Sequence, residues 1–87
     1  MKIQISKFGN NLISRPDAKE AFLAAKAYIF KAGESEFTLD FVDVDVLTPG
    51  WADEFISGIK REFKNAIMKY ENTSNPSVSE SLKWVSK

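Results

Sequence analysis

The order of apolar and polar positions along the chain reads as strands alternating with helices. Residues 2–6, KIQIS, alternate, with Ile3 and Ile5 on one face, and predict a half-buried strand. A turn signal in FGNN (8–11) leads into NLIS (11–14), expected as a short second strand hairpinned to the first. Ala18, Phe22, Ala25 and Ile29 then recur at spacings of four, three and four, the stripe of a helix over about 15–31. Ala21 and Tyr28 widen that stripe, and Leu23, Ala27 and Phe30 give the same helix a second apolar flank. Gly33 supplies a stop signal.

The strongest strand pattern covers residues 36–44. Phe37, Leu39 and Phe41 share one face, while Val42, Val44 and Val46 continue in the other phase. Apolar residues in both phases predict a central strand covered on both sides. A second helix is expected over 50–64, where Ala52, Phe55, Ile59 and Phe63 are spaced three, four and four apart. A shorter strand is read at 66–70 and a last helix at 76–86, carried by Val78, Leu82 and Val85. Each helix opens in the same way. Ser14, Thr48 and Asn75 are capping residues, and a proline follows within two positions, where the missing N–H costs nothing.

The predicted order is β(β)αβαβα. This is the α/β class, with a three- to four-stranded, mostly parallel sheet packed with three helices. A chain of 87 residues is expected to be a single domain, 1–87. Apolar and charged contents of 44% and 28% are ordinary for a packed core. No segment approaches the ~20 apolar residues of a membrane span, and residues 1–9 carry no signal-like apolar run. The expectation is a cytoplasmic protein without membrane contact.

Net charge is zero, but it is unevenly placed. Residues 31–55 carry one basic and seven acidic side chains, which leaves the middle of the chain strongly negative. Cysteine and histidine are both absent, which removes disulfides, thiolate metal sites and the commonest general base. Serine and threonine then have no evident activator, and the four glycines are too scattered for a phosphate loop. No enzymatic activity and no cofactor are expected.

Attention therefore falls on LDFVDVDVLTPGWADEFI (39–56), where a strand turns acidic, breaks at Pro49-Gly50 and restarts as a helix. Asp40, Asp43, Asp45, Asp53 and Glu54 could hold Mg²⁺ at the carboxyl end of a strand, which would make a small Mg-dependent enzyme the alternative. The plainer reading is that Asp43 and Asp45 solvate a loop, that Asp53 and Glu54 dress the first turn of a helix, and that Asp40 hydrogen-bonds a neighbouring loop. Trp51 reads either as a cap on the local core or as an aromatic anchor for a partner. Lys60, Arg61 and Lys64, with Lys69, are the basis for a nucleic-acid alternative.

NLISRPDAKEAF followed by LDFVDVDVLTPGWADEFI resembles the STAS-like domains of unknown function found in bacteria and their phages. Ser14, Arg15, Ala18, Leu39, Asp40, Phe41, Ala52, Asp53 and Glu54 stand at the matching positions, and Trp51 stands where that family usually has Phe. The resemblance covers most of residues 8–63. It implies the STAS fold of anti-sigma factor antagonists, which bind a histidine-kinase-type ATPase through the loop and helix after the central strand. It thus implies a regulatory module that binds its partner through the turn and helix at 47–60, with Asp45, Leu47, Thr48, Trp51, Asp53 and Glu54 as the candidate contacts; a monomer or homodimer is expected. In those antagonists a serine in the turn is phosphorylated. Here Leu47-Thr48-Pro49-Gly50 fills that region, so no phosphorylation is expected. Thr48 is the only candidate, and its hydroxyl is expected to be spent on the helix cap.

Overall fold

A computed structural model describes residues 1–85. Five strands and three helices follow one another: β1 Lys2–Gln4, β2 Asn11–Leu12, α1 Arg15–Tyr28, β3 Glu36–Asp40, β4 Val46–Leu47, α2 Pro49–Glu62, β5 Ile67–Glu71 and α3 Pro76–Val85. The expected last position of the final helix, 86, lies outside the described residues. A 3-10 turn at Ile5–Phe8 separates β1 from β2. The main sheet has the order β1-β3-β5, parallel throughout, with β3 central as predicted.

The expected hairpin is absent. β2 runs parallel to β4 instead, pairing Asn11 with Val46 and Leu12 with Leu47 in a separate two-stranded ladder. The 3-10 turn at Ile5–Phe8 carries the chain out of the main sheet, so Asn11 and Leu12 find their partners in the segment that follows β3.

The three helix starts behave as the sequence indicates. Ser14 Oγ accepts from the Asp17 N–H at 3.2 Å and Thr48 Oγ1 from the Trp51 N–H at 3.2 Å. Asn75 Oδ1 accepts from the Ser77 N–H at 2.8 Å. In α1 the buried positions are Ala18, Ala21, Phe22 and Ala25. Tyr28, expected to widen this stripe, is 90% exposed. The helix ends there, and the chain turns at Ile29, well before Gly33. In α2 the buried face is Trp51, Ala52, Phe55, Ile56, Gly58 and Ile59. Gly58 lets α1 and α2 approach closely, since a Cβ there would sit 2.9 Å from the Phe22 ring.

The buried apolar side chains form one cluster. A continuous series of ring contacts runs through it. Trp51 stacks on Phe55 at 5.0 Å, Phe55 meets Phe22 at 6.3 Å, and Phe22 meets Phe30 at 5.9 Å. Phe30 then meets Phe37 at 5.4 Å, and Phe37 meets Phe63 at 4.9 Å. Such tilted and offset pairs add to the area they bury.

The second correction concerns the sheet. Phe37 and Leu39 are buried, together with Ile3 on β1, and Met68 and Tyr70 beside them are half-buried. The opposite face carries Lys2, Gln4, Glu36, Ile67, Lys69 and Glu71, all exposed, with Thr38 half-buried and Asp40 buried on the central strand. It is laced by ion pairs: Lys2–Glu71 and Lys69–Glu36, both at 2.8 Å. The sheet is therefore covered on one face only, unlike most all-parallel sheets. The two-sided expectation counted Val42, Val44 and Val46 as part of the central strand. In the fold β3 stops at Asp40; Val42 and Val44 belong to the turn beyond it, and Val46 opens β4.

Candidate functional site: the turn after the central strand

β3 stops because Asp40 makes a competing set of bonds. Its Oδ1 accepts from the Val42 N–H at 3.0 Å and from Asn72 Nδ2 at 2.7 Å, and Lys2 Nζ lies 3.7 Å from Oδ2. The Asn72 amide, then the Val42 N–H, hold the carboxyl below its usual range, with Lys2 adding to the effect and burial opposing it. This is the loop hydrogen bond expected of Asp40. The chain then folds over itself. The Phe41 N–H donates to the Glu71 carbonyl at 3.0 Å, and the Val44 N–H returns to the Phe41 carbonyl at 3.2 Å. Asp43 takes a positive φ of 64°, a conformation that Asp tolerates better than most residues.

Two asparagines from distant segments fix this turn. Asn10 Nδ2 donates to the Asp43 carbonyl at 2.6 Å, and the Asn10 carbonyl accepts from the Asp45 and Val46 N–H groups at 2.9 and 3.1 Å. Asn75 Nδ2 donates to the carbonyls of Val44 and Asp45 at 3.2 and 3.0 Å. Ser77 Oγ accepts from the Leu47 N–H at 2.9 Å and donates to the Leu47 carbonyl at 3.0 Å, and Ser81 Oγ donates to that same carbonyl. Sequence reasoning missed Asn10, Asn75 and Ser77 as site residues. The available signal was the preference of Asn for turns, but nothing local shows which turn each one holds.

The result is a backbone held from distant segments that presents two valines and two carboxylates to solvent. Val42 and Val46 are 36% and 38% exposed, and Asp43 and Asp45 are exposed between and beside them. Val44 points inward and is buried. The turn lies beyond the carboxyl end of the central strand, the edge where open α/β sheets receive ligands.

The other expected interface residues are placed differently. Leu47 is 2% exposed and belongs to the core. Thr48 Oγ1 donates to the Ile13 carbonyl as well as accepting from Trp51, so its hydroxyl is committed. Trp51 is also 2% exposed, stacked on Phe55 and tilted against Phe8 at 6.3 Å. A ring held in this way cannot be offered to a partner without opening the core, so the anchor role is withdrawn and the core-cap reading stands. The first turn of α2 starts at Pro49, so Trp51 falls on its inward face.

Asp53 and Glu54 are not first-turn residues either, because α2 begins at Pro49. Arg15 Nη1 lies 2.7 Å from Asp53 Oδ2 and 3.8 Å from Glu54 Oε1, and Arg61 reaches Glu54 at 4.0 Å. Arg15, with help from Ser57, holds the Asp53 carboxyl below its usual range against the opposing effect of burial. The two widely separated motifs, Ser14-Arg15 and Ala52-Asp53-Glu54, are thus partners of one another across the α1–α2 contact. The charge of Asp53 and Glu54 is thus already met from within the fold.

Among the described residues, no group of three or more His, Cys, Asp or Glu side chains is placed to hold a metal ion. The acidic residues of the middle segment do not converge, and the Mg²⁺ reading has no geometry behind it. Nor do the basic residues form one patch. Lys69 pairs with Glu36 on the open face of the sheet, while Lys60, Arg61 and Lys64 lie at the end of α2 and beyond it. No helix among the described residues is long and apolar enough to cross a membrane.

Comparison with known proteins decides the family. The pattern of the STAS-like domains of unknown function matches residues 19–78, more than half of the chain. The chain belongs to this family. The match spans the whole of β3, the turn, α2 and β5 of the STAS-like domain, while Ser14, Arg15 and Ala18 precede it. No curated protein and no solved structure matches the chain.

Proposed function

We propose that this STAS-like domain is a non-catalytic regulatory module that binds a protein partner through the turn at 41–46 and the adjoining exposed edge of α2. The observation that carries this reading is the turn itself. Two exposed valines and two exposed carboxylates are displayed on a backbone clamped by Asn10, Asn75 and Ser77. A surface fixed before contact loses little conformational freedom on binding. Val42 and Val46 supply apolar area, and Asp43 and Asp45 steer a basic partner surface and set its register. The resemblance to anti-sigma factor antagonists makes a histidine-kinase-type ATPase the first partner to test. The commitment of the Thr48 hydroxyl to the cap argues for binding without a phosphorylation switch.

The test is a titration of the purified chain against a histidine-kinase-type ATPase domain. Val42→Ser with Val46→Ser is expected to weaken binding about tenfold or more. Asp43→Asn with Asp45→Asn is expected to slow association and flatten its salt dependence. Asn at 43 keeps the positive φ accessible. Equal affinity for wild type and both variants, with circular dichroism unchanged, would remove the turn from the interface. Salt-dependent DNA binding that is lost on replacing Lys60, Arg61 and Lys64 would favour the nucleic-acid alternative instead.

A further inference from the structure

A groove between the 3-10 turn and α1 takes no part in the turn described above. Phe8, Leu12, Ala21, Ala24 and Trp51 line it, and it encloses about 400 Å³. That is within the range of sites that take a few side chains of a ligand. Only a sliver of the Trp51 ring reaches it, so the indole is a fixed wall and not a mobile probe. Ala21 and Ala24 keep the α1 side low, which lets a second chain lie close to the helix. The apolar surface does not end with the groove. Tyr28, one turn beyond Ala24 on the same side of the helix, is 90% exposed.

The groove also has a sign. Asp17 and Glu20 stand on its lining, both exposed, and neither carboxylate has an ion-pair partner among the described residues. Elsewhere the acidic side chains of this fold tend to be met: Glu36 by Lys69, Asp53 by Arg15, Glu62 by Lys26 and Glu71 by Lys2. Two unmatched carboxylates beside an apolar trough complement a ligand that carries both apolar groups and cations. A rim of this sign repels acidic peptides and anionic lipid surfaces.

We propose that this groove docks an amphipathic basic segment of a partner protein. Its apolar side chains rest on Phe8 and Ala24, the accessible apolar residues of the lining, and its Lys or Arg groups face Asp17 and Glu20. None of residues 41–46 lines the groove, although β2, which borders it, pairs with Val46 and Leu47.

The probe is a synthetic helical peptide with Leu on one face and Lys on the other, compared with its Leu/Glu counterpart. Backbone amide NMR shifts of the intact chain are followed during titration. The Leu/Lys peptide is expected to shift the amides of Phe8, Leu12, Ala21 and Ala24 saturably, and the Leu/Glu peptide to leave them in place. Asp17→Asn with Glu20→Gln should weaken the complex about tenfold and flatten its salt dependence. Ala24→Trp, which fills the trough from an exposed helix position, should abolish the shifts. If Ala24→Trp fails to fold, the double neutral variant, which alters only exposed carboxylates, still decides. Unchanged binding by Val42→Ser with Val46→Ser separates this surface from the turn. Equal affinity for both peptides, or for wild type and the neutral variant, overturns the proposal. Concentration-dependent self-association blocked by Ala24→Trp would also overturn it, by assigning the groove to a second copy of the chain.

Discussion

The two faces of the three-stranded sheet are built on different physics. The packed face carries Ile3, Phe37 and Leu39 against α1 and α2, in a series of rings that reaches Trp51. Its stability comes from area removed from water and from close packing. The open face carries a lattice of exposed ion pairs, which contribute little in water and less in salt. Lys2 and Lys69 cover the backbone with charge, which keeps an exposed parallel sheet from seeking another sheet to stack on. One face therefore packs the core and the other presents charge to water. The turn at 41–46 and its asparagine clamps sit at the edge of both.

Trp51→Ala tests the packed face most severely. It is expected to cost about 3–5 kcal/mol, the range for emptying a large aromatic site, measured by urea denaturation. For a domain this small, that is much of the total stability. A loss below about 1 kcal/mol would mean that the ring is not part of the core and would return it to the surface as an anchor. Thr48→Ala tests the end of the β2–β4 ladder, where the hydroxyl also caps α2. The cap alone accounts for about 1 kcal/mol, and the lost bond to Ile13 adds to it. A neutral result would show that the hydroxyl is available for modification after all.

The open face should give the smallest effect. Lys69→Met is expected to leave the melting temperature at pH 7 nearly unchanged, and to alter its pH dependence instead. Glu36 is held below the usual carboxylate range, chiefly by its hydrogen bond to Lys69, and Lys69 is held above its own usual value by the same bond. The Glu36 contribution is therefore complete above about pH 4 and lost as pH falls through its lowered folded value. The Lys69 contribution is complete below about pH 10 and lost as pH rises through its raised folded value. Lys69→Met should flatten both limbs in thermal scans across pH. A variant that melts as early as Trp51→Ala would break the contrast between the faces.

What the sequence revealed divides along the same line. The helix starts at Ser14, Thr48 and Asn75 were legible because a cap is a local bond, made within three residues of the capping side chain. The apolar stripe of α2 was legible for the same kind of reason. The end of β3 was not. An apolar alternation continues past Asp40, and the chain departs from it because Asn72, Asn10 and Asn75 form bonds from far along the sequence. The pairing of Arg15 with Asp53 spans 38 positions and left no trace in either segment alone. The acidic turn could be picked out as a site from its composition. Which of its residues face outward could not, because that depends on where β3 stops. Trp51 shows the same limit: its position after Pro-Gly was plain, but its direction was set by the start of α2.

The parallel ladders carry a further consequence, for how fast this chain reaches its structure. Every strand pair among the described residues joins positions more than thirty apart, from Lys2 with Thr38 to Glu36 with Ile67. With no hairpin to seed the sheet, each ladder must close a long loop before its first bond forms. Contact order then governs the rate, and folding should be slower than in a helical bundle of equal length. α1 and α2 are the natural early pair, because their contact can form with the capped starts already in place. The turn at 41–46, which needs both Asn10 and Asn75, should be among the last parts to set.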